Sequence, residues 1–197
     1  NIVLNGRLHP SYFKGEVWVS DEDLEFDFSG EVDFSKDKPI MDFVANVVEA
    51  DLVKLNLYNN EPVAKLSSLI EINLKGNDWS NIEGELGVYH SSLETSNNHH
   101  YYNDILFTSE KFKEKDILSF KSDFLTVNLE GQIDVPNIFN SLLAYLNPHF
   151  PLLSGSSNYI QDFEFELDFL NTSALTEFLI PKFNFEQGTR FYGSFRN

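Results

Sequence analysis

This sequence predicts a mainly β fold, built from loosely repeated antiparallel strands with two short helices inserted among them. Three observations point there. Apolar and polar residues alternate over almost twenty positions in 117–135, ILSFKSDFLTVNLEGQIDV, and a two-residue period is that of a half-buried strand pair or one bent strand. Shorter copies of the alternation recur at 24–34 (LEFDFSGEVDF), 69–76 (LIEINLKG) and 163–169 (FEFELDF), often closing on a glycine and a polar step, which makes a loose repeat. Phenylalanine numbers 19 against one Met and two Trp, so much apolar surface must be placed on pleated faces.

Along the chain, residues 1–20 form a strand, a turn at NGRLHP, and a second strand in which Val17 and Val19 oppose Trp18. The acidic cluster at 20–23 (SDED) lacks the glycine-punctuated oxygen spacing of a calcium loop and is expected as a polar turn. In 24–34, Leu24, Phe26, Phe28, Gly30, Val32 and Phe34 share one face, and Glu25, Asp27, Ser29, Glu31 and Asp33 the other. SKDKP at 35–39 is a hairpin loop, after which Phe43, Ala45 and Val47 share a face and 50–57 (ADLVKLNL) turns onto an edge. Beyond a second loop at 59–62 (NNEP), Ile70, Ile72 and Leu74 oppose Glu71, Asn73 and Lys75. Leu86 and Val88 then carry one parity and Tyr89, Ser91 and Leu93 the other, with 95–104 expected as the polar tip of a hairpin. His99 and His100 are adjacent, so on a strand they face opposite sides and do not chelate one metal.

The charged run at 109–116 is an exposed turn before the long alternating stretch. There Leu118, Phe120 and Phe124 share one parity and Leu125, Val127, Leu129, Gly131, Ile133 and Val135 the other. A bulge or bend is therefore expected between Phe124 and Leu125. Ile138, Leu142, Leu143, Tyr145 and Leu146 then recur at helical spacing between Pro136 and Pro148, which predicts a helix over 137–146. After a flexible linker and the strand at 163–169, Asn171, Thr172 or Ser173 caps a second helix over 172–180 that ends at Pro181. A last hairpin turns at Gln187 and Gly188.

At 197 residues the chain is expected to be a single repetitive β segment over 1–197. The start at Asn1 without an initiator Met and the break in mid-strand at Asn197 suggest a fragment of a longer chain. Thirty-one acidic residues against 14 basic ones give a net charge of -17, which argues against nucleic acid or an anionic headgroup surface as electrostatic partner. The acidic excess belongs to solvated outer faces. With no cysteine there is neither a disulfide framework nor a thiolate zinc site. No apolar run reaches the roughly 18 residues of a membrane span, and the most apolar stretch, 138–153, is broken by Asn140, Asn147, Pro148 and His149. There is no G-x-S-x-G elbow, phosphate loop, H-E-x-x-H or cysteine nucleophile. Catalytic residues, cofactors and metals are accordingly not expected.

Three features carry a likeness to a known family. They are the G-x-hydrophobic-D-hydrophobic strands at 30–34 and 131–135, the S-K-D-K-P turn at 35–39, and the A-D-L-x-x-L-N-L step at 50–57. The order of elements over most of 24–153 resembles the repeats of the TamB and AsmA-like envelope proteins of Bacteroidetes-type bacteria. That resemblance implies an elongated, curled, taco-like β-groove with an apolar interior, crossing the periplasm of a Gram-negative bacterium from an anchor in the inner membrane. It also implies phospholipid movement towards the outer membrane, or assembly of outer-membrane proteins with an Omp85-type barrel partner, the cargo being acyl chains or unfolded outer-membrane strands.

The residues agree with that independently, because a sheet with one aromatic-aliphatic face and one acidic face can curl its apolar side around acyl chains. The lining expected is Phe26, Phe28, Val32 and Phe34, then Ile70, Ile72 and Leu74, then Val127, Leu129 and Ile133, then Phe163, Phe165, Leu167 and Phe169. The alternative is a closed β-sandwich, a binding or structural module of the cell envelope, for instance for carbohydrate, whose Phe faces close on each other.

Overall fold

A computed structural model describes residues 1–60, 62–138, 140, 141, 161–171 and 186–196. The strands are β1 (Ile2–His9), β2 (Tyr12–Ser20), β3 (Leu24–Asp33), β4 (Ile40–Asp51), β5 (Ala64–Lys75), β6 (Glu83–Thr95), β7 (His99–Phe112), β8 (Lys115–Lys121), β9 (Leu125–Gln132), β10 (Asp162–Phe169) and β11 (Arg190–Arg196). All eleven belong to one antiparallel sheet that is open rather than closed, and their order in the sheet is their order in the chain. The chain divides into two compact units, Asn1–Gly76 with Gly84–Phe107, and Asn77–Glu83 with Thr108–Asn197.

In the first unit the register keeps like with like. Phe28 stands opposite Val17 on β2 and Ala45 on β4, and Ala45 stands opposite Ile70 on β5. Asp27 stands opposite Trp18 and Asn46, and Glu31 opposite Lys14 and Asp42. Because directly opposed residues project to the same side of a sheet, every alternating strand adds its apolar parity to one face and its polar parity to the other. Two irregularities restore that match where the sequence slips. The register shifts in β4 between Val47 and Ala50, leaving Val48 as the extra residue. In β6, Gly84 lies against Leu74 while the Ser91 hydroxyl bonds that of Ser68 at 2.8 Å, a one-residue slip, and His90 between them has φ 50°. This is how Leu86 and Val88 can share a face with Ser91 and Leu93 despite opposite parity.

In the second unit, the parity change between Phe124 and Leu125 has a different cause from the bulge expected there. Lys121 pairs with Thr126 and Phe120 with Val127, and Ser122 closes the turn by donating its amide to the Leu125 carbonyl at 3.0 Å and accepting the Leu125 amide on Oγ at 3.1 Å. Asp123 and Phe124 are thus the tip of a two-residue hairpin, which places residues of opposite parity face to face. Leu118 and Phe120 therefore share a face with Leu129 and Val127.

Among the described residues there is no helix of seven or more residues, so the two helices expected are not borne out there. Over 137–146 the described residues show one 3-10 turn, Val135–Asn137, with helical backbone at Ile138, Asn140 and Ser141. Residues 139 and 142–146, and the whole of 172–180, lie outside the described residues. Pro136 sits inside the 3-10 turn, where a missing amide costs nothing. The hairpin tip expected over 95–104 is also shorter than that: Thr95 donates its amide to the Asn98 carbonyl at 2.8 Å, and His99 already opens β7. The turn at Gln187 and Gly188 is present, with the Gly188 amide bonded to the Phe169 carbonyl at 2.8 Å.

Candidate functional site: the apolar face of each unit

Few apolar side chains are fully buried among the described residues. They are Ala45, Ala50, Ala64, Leu74, Leu118, Ile133, Phe163 and Phe195, an unusually alanine-rich set for a chain with so much phenylalanine. Most of the larger side chains on the apolar faces are half-buried, which is the property of a sheet with neighbours on either side but little above it.

Three rungs build the face of the first unit. Phe13 stands opposite Val32, which stands opposite Met41, which stands opposite Leu74; Val17, Phe28, Ala45 and Ile70 form the next; Val19, Phe26, Val47 and Ser68 the third. The Phe28 ring centroid lies 5.7 Å from that of Phe13 and 4.9 Å from that of Phe43, tilted contacts of the kind that add about 0.5–1.5 kcal/mol beyond area burial. Phe26, Phe28, Val32, Ile70 and Ile72 are half-buried here and Leu74 is buried. Phe34 falls outside the arrangement. It follows the end of β3, donates its amide to the Ser11 carbonyl at 2.7 Å and is 59% exposed.

The second unit repeats the design. Leu118, Leu129, Phe165 and Gly193 form one rung, Phe120, Val127, Leu167 and Phe191 the next, and Gly131, Phe163 and Phe195 a third. Phe163 stacks on Phe195 at 5.6 Å, and Phe169 meets Phe191 edge-on at 5.9 Å. Val127, Leu129, Phe165, Leu167 and Phe169 are half-buried; Phe163 is buried, as is Ile133 just past the end of β9.

Glycine does a particular job in both units. Gly30 stands opposite Phe43, Gly131 opposite Phe163, and Gly193 opposite Phe165. A Cβ on Gly131 would lie 2.2 Å from the Asp162 carbonyl oxygen and 2.6 Å from the Phe163 Cα, so the strands approach more closely there than any side chain allows. The two G-x-hydrophobic-D copies also end alike, each with its Asp fixing the chain as it leaves the strand. Asp33 accepts the Ser35 amide at 2.9 Å, and Asp134 accepts the Asn137 side-chain amide at 3.0 Å. The buried Gln161 then ties Asp134 down by accepting its amide at 3.1 Å and donating to its carbonyl at 2.9 Å.

The polar faces are ladders of charge. Lys14 bonds Glu31 at 2.8 Å, Lys65 bonds Glu49 at 2.7 Å, Lys115 bonds Glu130 at 2.6 Å, and Arg190 pairs with Asp168. Bonding to the carboxylate raises each of these cations above its ordinary pKa, and exposed pairs of this kind, screened by solvent, add little to stability. Among the described residues no group of three or more His, Asp or Glu is placed to hold a metal ion, and no helix is long and apolar enough to cross a membrane.

The face contains residues absent from the expected lining: Phe13, Val17 and Val19 of β2, Met41 and Phe43 of β4, Leu118 and Phe120 of β8, Phe191 and Phe195 of β11. All lie in alternating sequence, and only the pairing register within each unit shows that their parity joins that unit's apolar face. No known protein family matches this chain, nor does any curated protein or solved structure.

Proposed function

We propose that the apolar faces bind acyl chains, and that the chain belongs to a curled, taco-like β-groove that conducts phospholipid between the inner and outer membranes of a Gram-negative bacterium. One observation carries the reading: rung after rung of Phe, Leu, Ile and Val is left half-buried, with no second sheet among the described residues to complete the burial. A side chain of this size gains about 1.5–3 kcal/mol on full burial, so each half-exposed rung leaves a substantial part of that gain to whatever covers it. Contiguous exposed apolar surface of more than a few hundred Å² marks a binding surface in a soluble protein. An acyl chain is a fitting cover, because it needs no hydrogen bonds from the face and the face offers almost none.

The repeat-like resemblance to the TamB and AsmA-like proteins supports the membrane-to-membrane part of the proposal. A two-sheet sandwich finds less support, since its facing sheets would bury residues such as Phe28 and Phe165.

Photo-crosslinkers at positions 28, 129 and 165, followed by mass spectrometry of copurified and crosslinked species, test the reading. Phospholipid adducts at all three positions are the expected result. Crosslinks confined to facing protein strands would mean a closed core and defeat it.

A further inference from the structure

Trp18 is the one tryptophan on a strand, and it is on the wrong side for the apolar face. It stands opposite Asp27 on β3, which stands opposite Asn46 on β4. Directly opposed residues project to the same side, so the indole lies on the polar face, where its neighbours along β2 are Glu16 and Ser20. It is 43% exposed. Among the described residues no ring packs on it and its N–H has no acceptor. Val3 of β1 is on its other side, and a strand pairing beside β1 would widen the sheet without covering this face.

The same kinds of side chain recur in the second unit. Tyr192 on β11 stands opposite Glu166 on β10, Glu166 opposite Asn128 on β9, and Asn128 opposite Ser119 on β8. In each unit the order across the polar face is aromatic, carboxylate, carboxamide. Both carboxamides are held in place. The Asn46 amide donates to Asp27 Oδ2 at 2.8 Å, and Asn128 Oδ1 accepts the Ser119 hydroxyl at 2.9 Å. Arg190, already paired with Asp168, lies 3.7 Å from Glu166. Asp27 Oδ1 and Asn46 Oδ1 remain as acceptors and the Asn128 amide as a donor, none of them partnered among the described residues. A shallow concavity of about 650 Å³ lies along the second row, between Asn128, Glu166 and Tyr192 on one side and Glu130, Glu164 and Ser194 on the other.

We propose that each of these rows is a subsite for one pyranose ring of a neutral glycan. A sugar ring has an apolar C–H face, which the aromatic side chain covers, and a rim of hydroxyls that both donate and accept, which a carboxylate beside a carboxamide matches. From aromatic residue to carboxamide is two strand spacings, about 10 Å, so the polar pair meets the rim of a ring seated on the indole or the phenol. An ammonium ligand is also drawn to an aromatic ring, but it has no use for the Asn128 amide or the indole N–H as donors. Anionic sugars are disfavoured by Glu16 beside the first row and by Glu130 and Glu164 beside the second. The glycan and the acyl chains proposed above take opposite faces of the sheet, and neither needs the other.

The test titrates the full chain with cellohexaose, maltohexaose and mannohexaose as neutral probes, and with hexagalacturonate and tetramethylammonium as charged ones, by calorimetry and by nuclear magnetic resonance of the tryptophan indoles. A neutral hexasaccharide is expected to bind at both rows and to move the Trp18 indole N–H signal, a reading that needs no substitution. Trp18→Ala and Tyr192→Ala should each remove one of the two sites, and Trp18→Tyr should keep the first. Asp27→Ala should weaken the first site by about tenfold, on the scale of a lost hydrogen bond to a charged group. A Trp18 signal that no neutral probe moves overturns the proposal, as does binding undiminished in both alanine variants. So does tighter binding of tetramethylammonium or hexagalacturonate than of every neutral probe, which would make the ligand a cation or an anion.

Discussion

Replacing Gly131 by alanine separates steric close approach from backbone strain. The added methyl would stand 2.2 Å from the Asp162 carbonyl oxygen, 2.6 Å from the Phe163 Cα and 2.9 Å from its Cβ, whereas unstrained carbon contacts lie at about 3.5–4.0 Å. β9 and β10 must therefore part locally by roughly 1 Å, and the obstructing atoms are mainly backbone, which cannot swing aside. Overpacking of this kind costs about 1–3 kcal/mol, and alanine at φ 150° adds strain of about 1–3 kcal/mol, together about 2–6 kcal/mol. Gly188 is the control within the same unit. Its φ of 83° is left-handed, but a Cβ there meets nothing within 4 Å, so Gly188→Ala should cost about 1–2 kcal/mol. Trp79 lies in this unit and Trp18 in the other, so urea unfolding followed by fluorescence in a Trp18→Phe background reports the relevant transition. Equal costs for the two substitutions would refute the close-approach argument.

Leu129→Asp should cost about 1–2 kcal/mol because the side chain is only half-buried and should suppress lipid crosslinking at position 165, whereas Glu164→Lys on the exposed polar face should stay within about 0.5 kcal/mol and leave crosslinking intact. Gln161→Leu leaves the Asp134 amide and carbonyl without their partner, and at about 1–3 kcal/mol for each unsatisfied buried group should lower the urea midpoint more than any surface change, without altering far-ultraviolet dichroism. The Ser35 hydroxyl and amide hold the Asp33 carboxyl below its usual value. The stability this provides is therefore present above the ordinary carboxylate pKa of about 4 and is lost as pH falls through the lower folded-state value. Amide exchange at Ser35 should accelerate over that acid window in the native chain and lose the dependence in Asp33→Asn.

Alternation made the strands legible because a period of two is a property of neighbouring residues. Phe26 and Phe28 against Asp27, or Phe163 and Phe165 against Glu164, need no knowledge of the rest of the chain. Where a second strand decides, the reading went astray. The change of parity at Phe124 and Leu125 looks the same in sequence for a bulge and for a two-residue hairpin, and only Ser122 bonding Leu125 tells them apart. The slip at His90 needed its φ of 50°, a value outside any side-chain pattern. Phe34 continues the parity of Val32, yet the chain has already been turned by Asp33 and Ser35. The helix over 137–146 rested on apolar spacing and on Pro136 as an opening residue, and that proline is equally at home in the 3-10 turn that forms. The membership of β2, β4 and β11 in the apolar faces was hidden for a related reason: glycine interrupts β2 and β11, adjacent apolar residues such as Phe43 and Val44 or Val47 and Val48 blur the parity of β4, and cross-strand register supplies what composition does not.

Strand order that repeats chain order bears on how such a molecule comes to fold. Within each unit a strand docks on the one synthesised just before it, so the loops to be closed are short and their entropic cost small. Contacts local in sequence favour rapid folding, and coupling runs from one hairpin to the next in the manner of a one-dimensional array. The chain can therefore acquire structure in the order in which it emerges from a ribosome or a translocation pore, each new strand finding a finished edge already waiting.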